Sequence, residues 1–277
     1  MTDRTRFSHG PLGQETAYAS DYDPGLLFPI ARAETRAALG LKDGEALPFF
    51  GVDMWTGYEV SWLDEKGKPE VALARFRIPC DSPNLVESKS FKLYLNSYNQ
   101  TVMPGPDEVR EQLVADLSKA TGSTVQVELE RIQSAVQPVH GAQGENIDHL
   151  PVAIEHYHPA PQCLFVEEAV VEETLNSHLL KSNCPVTGQP DWATVEVSYR
   201  GPRIDREGLL RYIVSFREHQ DFHEHCVERM FLDLSERCQP ERLSVYARYT
   251  RRGGLDINPY RSSQAGEGPA FERLVRQ

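Results

Sequence analysis

The sequence predicts an α+β fold, antiparallel sheet with helices packed on one face, built twice in tandem. Three observations predict it. Short runs alternate apolar and polar residues, as half-buried strands do. Between them, apolar residues recur at helical spacing. The order of these runs in the first half then returns in the second with matching residues, the mark of an internal duplication.

Taken in chain order, the first forty or so residues read as a polar arm that runs into Tyr22-Asp-Pro-Gly-Leu-Leu-Phe-Pro-Ile, where Pro24 and Pro29 oppose a long helix. Regular structure is expected from near Leu47. Val71-Ala-Leu-Ala-Arg-Phe-Arg-Ile reads as a strand that stops at Pro79. Leu85 to Tyr98 and Asp107 to Ala120 carry helical spacing; the second has Val109, Leu113 and Leu117 on one face, Asp107 near its start and Gly122 just past its end. Val125, Val127 and Leu129 alternate with Gln126, Glu128 and Glu130 as a half-buried strand. A Gly-, Pro- and His-rich stretch from about Gln137 to Pro161 follows. Beyond it Val195, Val197 and Tyr199 alternate, helical patterns cover Asp205 to Phe216 and Phe222 to Arg237, and Leu243, Val245, Ala247 and Tyr249 alternate again.

Three matches support the duplication. Phe76-Arg-Ile-Pro79 answers to Tyr199-Arg-Gly-Pro202, Tyr94-x-x-Ser97-Tyr98 to Tyr212-x-x-Ser215-Phe216, and Asp116-Leu-Ser118 to Asp233-Leu-Ser235, at spacings of 123, 118 and 117 residues. The repeat is therefore a strand-strand-helix-helix-strand-strand unit with helices on one face of the sheet. The expected organisation is an arm over residues 1–46, a first unit over 47–136, a linker over 137–161 and a second unit over 162–277.

The 277 residues suffice for about two domains at roughly 150 residues each. With 40% hydrophobic and 25% charged residues, the composition excludes collagen, a coiled-coil rod and disorder throughout. No apolar run approaches the ~18 residues of a membrane span, and the opening Met1-Thr-Asp-Arg-Thr-Arg-Phe-Ser lacks a signal-peptide core, so a cytoplasmic protein is expected. The formal net charge of -12 has the wrong sign for nucleic acid or anionic membrane and favours a small-molecule ligand. The cysteines, Cys80, Cys163, Cys184, Cys226 and Cys238, are odd in number and form no CxxC pair, so reduced thiols are expected.

Four segments are candidates for chemistry. The loop Ser182-Asn-Cys184-Pro-Val-Thr-Gly188-Gln-Pro190-Asp191 holds a thiol with no apolar face to join, so burial explains it poorly. A thiol beside a carboxylate suits a nucleophile with a proton carrier, since its pKa of ~8.5 leaves a few per cent thiolate at neutral pH. Cys80, between Pro79 and Pro83, competes for that role, while Cys163, Cys226 and Cys238 read as small buried hydrophobes. Asp221-Phe-His223-Glu224-His225-Cys226 is a helix start that reads as dipole compensation, a metal site, or a His/Glu grip on a polar ligand; its spacing is not that of a zinc motif. Glu87-Ser-Lys89-Ser-Phe-Lys92-Leu-Tyr94 is either solvated surface or an anion site of Lys89, Lys92 and free amides at a helix start. Arg251-Arg252-Gly253-Gly254 is a strand end or a phosphate cradle; it lacks the dinucleotide fingerprint.

Together these segments resemble the NADPH-dependent nitrile reductases of queuosine biosynthesis, the 7-cyano-7-deazaguanine reductases. The eight positions from Glu87 to Tyr94 fit that family's pattern. Asn183-Cys-Pro-Val-Thr-Gly-Gln-Pro-Asp191, Phe222-His-Glu224 and Arg251-Arg-Gly-Gly-Leu-Asp-Ile-Asn258 are similar to it too, and Tyr22-Asp-Pro-Gly-Leu-Leu-Phe-Pro marks its long, two-unit form. The resemblance implies the tunnelling fold (T-fold) of GTP cyclohydrolase I, with both units in one chain and the chain a homodimer. It implies Cys184 as the nucleophile that forms a thioimide and Asp191 as proton donor to the nitrile nitrogen. His223 and Glu224 would hold the base, Val86, Glu87 and Ser88 would complete its site, and Phe222 would help to shut it. Ser88, Lys89, Arg252 and Gly253 would bind NADPH, of which two are needed per nitrile, and no metal is implied. Three other readings stand beside this one: a cysteine-dependent nitrile hydrolase, a zinc-dependent pterin or purine hydrolase using His223, His225 and a cysteine, and a non-catalytic purine binder.

Overall fold

Alternation becomes strand and helical spacing becomes helix along most of the chain, in a computed structural model that describes residues 19, 21–135, 138–185 and 187–277. Residues 1–18, most of the expected polar arm, lie outside the described residues, as do Ser20, Val136, Gln137 at the start of the expected linker, and Val186 in the cysteine loop. The elements are β1 (Pro29–Ala31), α1 (Arg32–Arg36), β2 (Phe50–Leu63), β3 (Pro69–Pro79), β4 (Asn84–Val86), α2 (Ser88–Ser97), α3 (Pro106–Thr121), β5 (Gln126–Arg131), β6 (Val139–His140), β7 (Glu145–Asn146), β8 (Val166–Asn183), β9 (Pro190–Ile204), α4 (Arg206–Val214), α5 (His223–Cys238), β10 (Arg242–Tyr249), β11 (Leu255–Ser262) and β12 (Arg273–Leu274). The class is the expected α+β, mostly antiparallel strands with helices. No helix among the described residues is long and apolar enough to cross a membrane.

The chain divides into one unit of Met1–Glu45, Asp53–Gln137 and Arg251–Asp256, and a second of Ala46–Val52, Pro138–Thr250 and Ile257–Gln277. This differs from the expected boundaries, because contacts in space rather than chain order define each core, so short pieces of β2 and β11 cross over.

In the first unit the strands run in the order β5-β3-β2, and β3 pairs antiparallel with β5 so that Phe76 faces Val127 and Ala74 faces Leu129. Val109, Leu113 and Leu117 of α3 are fully buried, as their spacing requires. Phe91 of α2 sits between Phe76, 5.1 Å away, and Trp55, 5.2 Å away. Burying such a ring contributes roughly 1.5–3 kcal/mol.

The second unit orders its strands β11-β10-β9-β8-β7. Val197 of β9 pairs with Leu175 of β8 and Val245 of β10, a buried row across three strands. Helix α5 buries Val227, Met230, Phe231 and Leu234, with Phe231 edge-on to Phe49 at 5.6 Å. Glu228 is buried on the same helix and tolerated there because it receives Arg261 Nη2 at 2.8 Å.

The recurring residues make the same bonds in both units. Tyr94 Oη donates to Asp116 Oδ2 at 2.6 Å, and Tyr212 Oη donates to Asp233 Oδ2 at 2.6 Å. Ser97 and Ser215 each donate to the carbonyl three residues back at 2.6 Å. The Tyr94–Tyr98 and Tyr212–Phe216 rings meet edge-on at 5.5 and 5.4 Å.

Several expectations are corrected. Among the described residues strand structure is already present at Pro29, well before Leu47, because β1 pairs with β4. That pairing also holds residues 84–86 extended, so the helix expected from Leu85 starts at Ser88. Cys163 is only partly covered, on a short 3-10 turn, whereas Cys226 and Cys238 are buried as expected. Cys184, which looked too polar in its surroundings to be buried, is buried all the same.

Candidate functional site

Cys184 follows the last residue of β8, and Gln189 precedes the first residue of β9. The loop between is closed by Cys184 N donating to Gln189 O at 2.9 Å and Gly188 N donating to Cys184 O at 3.0 Å. Gly188 has φ +69°, a left-handed conformation that suits glycine. Ser182 pairs with Asp191 across the hairpin, and Cys184, two residues further on, shares their face. Cys184 and Asp191 are each 6% exposed.

The strand end carrying Cys184 is bonded to the entry of α5. Asn183 N donates to His219 O at 2.8 Å and Asp221 N donates to Asn183 O at 3.1 Å. The next three residues are Phe222 at the N-cap, then His223 and Glu224 in the first turn. His223 Nε2 lies 3.7 Å from Asp191 Oδ1, which brings the carboxylate at the end of the cysteine loop against the imidazole of α5. Phe222 and Glu224 are buried beside it.

Asp221 holds this entry in shape. Its Oδ1 accepts from Phe222 N at 2.9 Å, and its Oδ2 meets His225 Nδ1 at 2.5 Å and His219 Nε2 at 3.4 Å. Burial alone would raise its pKa, but the hydrogen bonds from His219 and His225 outweigh that and hold the carboxyl well below its usual range. His225 thus turns to Asp221 while His223 faces Asp191, a divergence that opposes joint metal ligation by the two histidines. Among the described residues no group of three or more His, Cys, Asp or Glu is arranged to hold a metal ion. Burial pushes the Cys226 thiol far up, which marks it as an inert packing group.

The other site candidates lie in the first unit. Val86 is buried at the end of β4 and pairs with Pro29. Glu87 caps α2, its Oε1 accepting from Lys89 N at 2.7 Å and its Oε2 from Ser90 N at 2.8 Å. These amides are therefore not free for an anion, which corrects that part of the expectation. Asp205 caps α4 in the same way, accepting from Gly208 N at 2.7 Å. Ser88 and Lys89 open α2 at intermediate exposure, and Lys92 lies one turn on from Lys89.

Arg252, Gly253 and Gly254 form a two-residue hairpin: Arg252 N donates to Leu255 O at 2.9 Å, and the glycines have φ +61° and +81°. A Cβ on Gly253 would lie 3.1 Å from Lys92 Cδ and 3.8 Å from its Nζ. Glycine thus leaves room for Lys92 against the turn, with Arg252 beside it, and this basic cradle fits a phosphate-bearing cofactor. Arg251 points elsewhere, over the Tyr58 ring at 4.4 Å and toward Glu59 at 3.4 Å.

Asn183, Asp221 and Tyr249 stand in segments read from the sequence but are given no role there; the Tyr249 ring meets His223 at 4.2 Å. Only the first two carry a usable sign. They sit 120 and 118 residues after Leu63 and Met103, which make the matching backbone bonds in the first unit.

The family model described as "Nitrile reductase, 7-cyano-7-deazaguanine-reductase N-term" matches residues 18–129, and that described as "QueF-like protein" matches residues 190–267. The chain is 58% identical to the NADPH-dependent 7-cyano-7-deazaguanine reductase of Bordetella avium (strain 197N), over 98% of this chain and 99% of that protein. It is 56% identical to the protein of the same name from Chromohalobacter salexigens over 100% of both, and 56% identical to that of Cupriavidus metallidurans over 97% and 98%.

Proposed function

This chain belongs to the family of NADPH-dependent 7-cyano-7-deazaguanine reductases, and on that premise we propose how its own residues carry a nitrile to an amine. The Cys184 thiol adds to the nitrile carbon and its proton passes by way of the Asp191 carboxyl to the nitrile nitrogen, giving a covalent thioimide. Adding sulfur turns a poor hydride acceptor into a C=N unit that the protonated nitrogen polarises, so nucleophilic and acid catalysis act on one centre. NADPH, when bound, supplies hydride, once to the thioimide carbon and once to the imine left when Cys184 departs. The balance is one nitrile, two NADPH and two protons to one amine and two NADP+.

Glu224 accepts from the donor edge of the 7-deazaguanine base and His223 holds it in line. Val86, Glu87 and Ser88 of the first unit are assigned to base binding as well; the Glu87 carboxylate accepts from Lys89 N, Ser90 N and, at 3.5 Å, Ser88 Oγ, and keeps a lone pair for a further donor. Ser88, Lys89, Arg252 and Gly253 hold the cofactor, joined by Lys92. Phe222 excludes water, which would otherwise hydrolyse the imine; deuterium uptake over residues 219–224 that is equal with and without ligand would count against its closure. The working form in this reading is a cytoplasmic homodimer, which light scattering tests directly.

The observation that carries the reading is the pair of backbone bonds tying the Cys184 strand end to the entry of α5, with His223 Nε2 3.7 Å from Asp191. The test is the NADPH consumed per mole of 7-cyano-7-deazaguanine, with wild type beside Cys184→Ala. A ratio near two that the variant abolishes supports it. Nitrile loss without NADPH consumption would instead make the chain a hydrolase.

A further inference from the structure

We infer that Tyr249 is a positioning residue of the reductase site, whose ring, rather than its hydroxyl, fixes the imidazole of His223 on the Asp191 side. The inference rests on the assignment of His223 to base binding. The two rings meet edge-to-face, 4.2 Å between centroids and 89° between planes, while His223 Nε2 stands 3.7 Å from Asp191 Oδ1. The imidazole is thus held between a carboxylate and an aromatic wall, and an edge-to-face pair prefers one orientation.

The wall itself is held at both ends. Tyr249 is 1% exposed and closes β10, paired with Ala193 two residues after Asp191. Its N–H donates to Asn258 Oδ1 at 3.2 Å, and its carbonyl accepts from Gln277 Nε2 at 3.1 Å. Gln277 Nε2 also donates to Asn258 Oδ1 at 2.8 Å, and Thr250 N donates to Trp192 O at 2.8 Å. Asn258, the last residue of the segment that begins at Arg251, thereby acquires a function: it clamps the backbone of the residue that steadies His223.

The phenol end does no comparable work. The Tyr249 hydroxyl and Ser182 Oγ are buried without a well-formed hydrogen bond. Burial, followed by the neighbouring Cys226, pushes the phenol far up, so it stays neutral in a pocket shared with Ser182 and an equally neutral thiol.

The experiment compares Tyr249→Leu, which keeps apolar bulk without the ring, with Tyr249→Phe, which keeps the ring without the hydroxyl. For each, binding of 7-cyano-7-deazaguanine is measured by calorimetry on the Cys184→Ala background, and thioimide formation without NADPH by intact mass and its pH profile. Tyr249→Leu is expected to weaken binding about threefold to tenfold, the range of one lost aromatic pair, and to move the pH profile of adduct formation. Tyr249→Phe is expected to restore both to within about twofold of wild type. Wild-type affinity and pH profile in Tyr249→Leu, or equal damage in both variants, overturns the inference. His223→Ala run alongside separates the two levels: if it binds the base as tightly as wild type, the assignment of His223 fails, whatever Tyr249 does.

Discussion

The two units build the same joint and put different chemistry on it. In the first, β2 turns into β3 through Asp64–Lys68, with Asp64 N donating to Lys68 O at 2.9 Å and Gly67 N donating to Asp64 O at 2.8 Å. In the second, Cys184 and Gln189 close the turn with the same two bonds. Leu63 bonds to Thr101 and Met103 ahead of α3, as Asn183 bonds to His219 and Asp221 ahead of α5. Cys184 thus occupies the place of Asp64. The Asp64 carboxylate is used on its own turn, accepting from Lys66 N and Lys68 N at 2.9 Å each. A thiol is a poor acceptor for such a cap, so its place in the turn does not consume it. Where the second unit presents Phe222-His223-Glu224, the first has Pro104-Gly105-Pro106. The duplication supplies the same hydrogen-bonded corner twice, and only the second copy carries the proposed nucleophile and base-binding residues.

The largest expected effect tests that asymmetry. Cys184→Ala is expected to lower kcat for NADPH oxidation by on the order of 10³-fold or more while leaving the melting temperature near wild type. Asp64→Ala should lower the melting temperature slightly and leave kcat alone. If both variants lose activity, the first corner is not merely structural.

The tyrosine–aspartate bond sharpens the comparison in stability. Asp233 receives Tyr212, whereas Asp116 receives both Tyr94 at 2.6 Å and Tyr22 at 2.7 Å, with Gln112 Nε2 3.1 Å from its other oxygen. Removing the acceptor strands the buried Tyr212 in the second unit, while in the first it frees the half-buried Tyr22 and Gln112 and leaves Tyr94 its bond to Tyr98, so urea unfolding should show a loss of about 2 kcal/mol for Asp233→Ala and a somewhat larger one, about 3 kcal/mol, for Asp116→Ala. Equal losses would mean that the Tyr22 segment adds nothing to the first unit.

Two carboxylates of the second unit should respond to acid in opposite directions. Asp221 is held below its usual range, so its contribution is present above the unfolded value of ~3.9 and is lost as pH falls through its folded pKa. Asp233 is raised, chiefly by burial, so its contribution is full below ~3.9 and is lost as pH rises through its folded value. Urea titrations between pH 3 and 7 should therefore show Asp221→Asn flattening the acid loss of stability and Asp233→Asn steepening it. The same sign for both would contradict the arrangement of His219 and His225 around Asp221.

The smallest effect concerns the turn glycines. Gly67 and Gly188 have φ +77° and +69° with no close obstacle to a Cβ, so alanine should cost about 1 kcal/mol at each through backbone strain alone. Steady-state assays should then show a lower kcat only for Gly188→Ala, because only that turn holds the proposed nucleophile.

Much of this was legible in the letters. Apolar periodicity located α3, α5, β3, β9 and β10 because each turns a continuous apolar face to the core, and the recurring Tyr-x-x-Ser and Asp-Leu-Ser motifs announced bonds that recur atom for atom. The long strands β2, β8 and β11 were not singled out. Glu167, Glu168 and Glu172 of β8, for instance, are exposed and break the alternation. The extended start of the Glu87 segment was also hidden, since β4 exists only by pairing with β1, more than fifty residues earlier.

The sequence by itself determined the fold class, the duplication and the family, and it nominated the candidate site residues, because periodicity and motifs are local properties of the chain. Only the tertiary structure decided which of those groups meet. That Asp191 stands against His223 and that Tyr249 backs the imidazole both depend on contacts between residues far apart in sequence. Such contacts follow from strand register and helix packing, which minimise the exposure of the whole apolar core and leave no mark on any single segment.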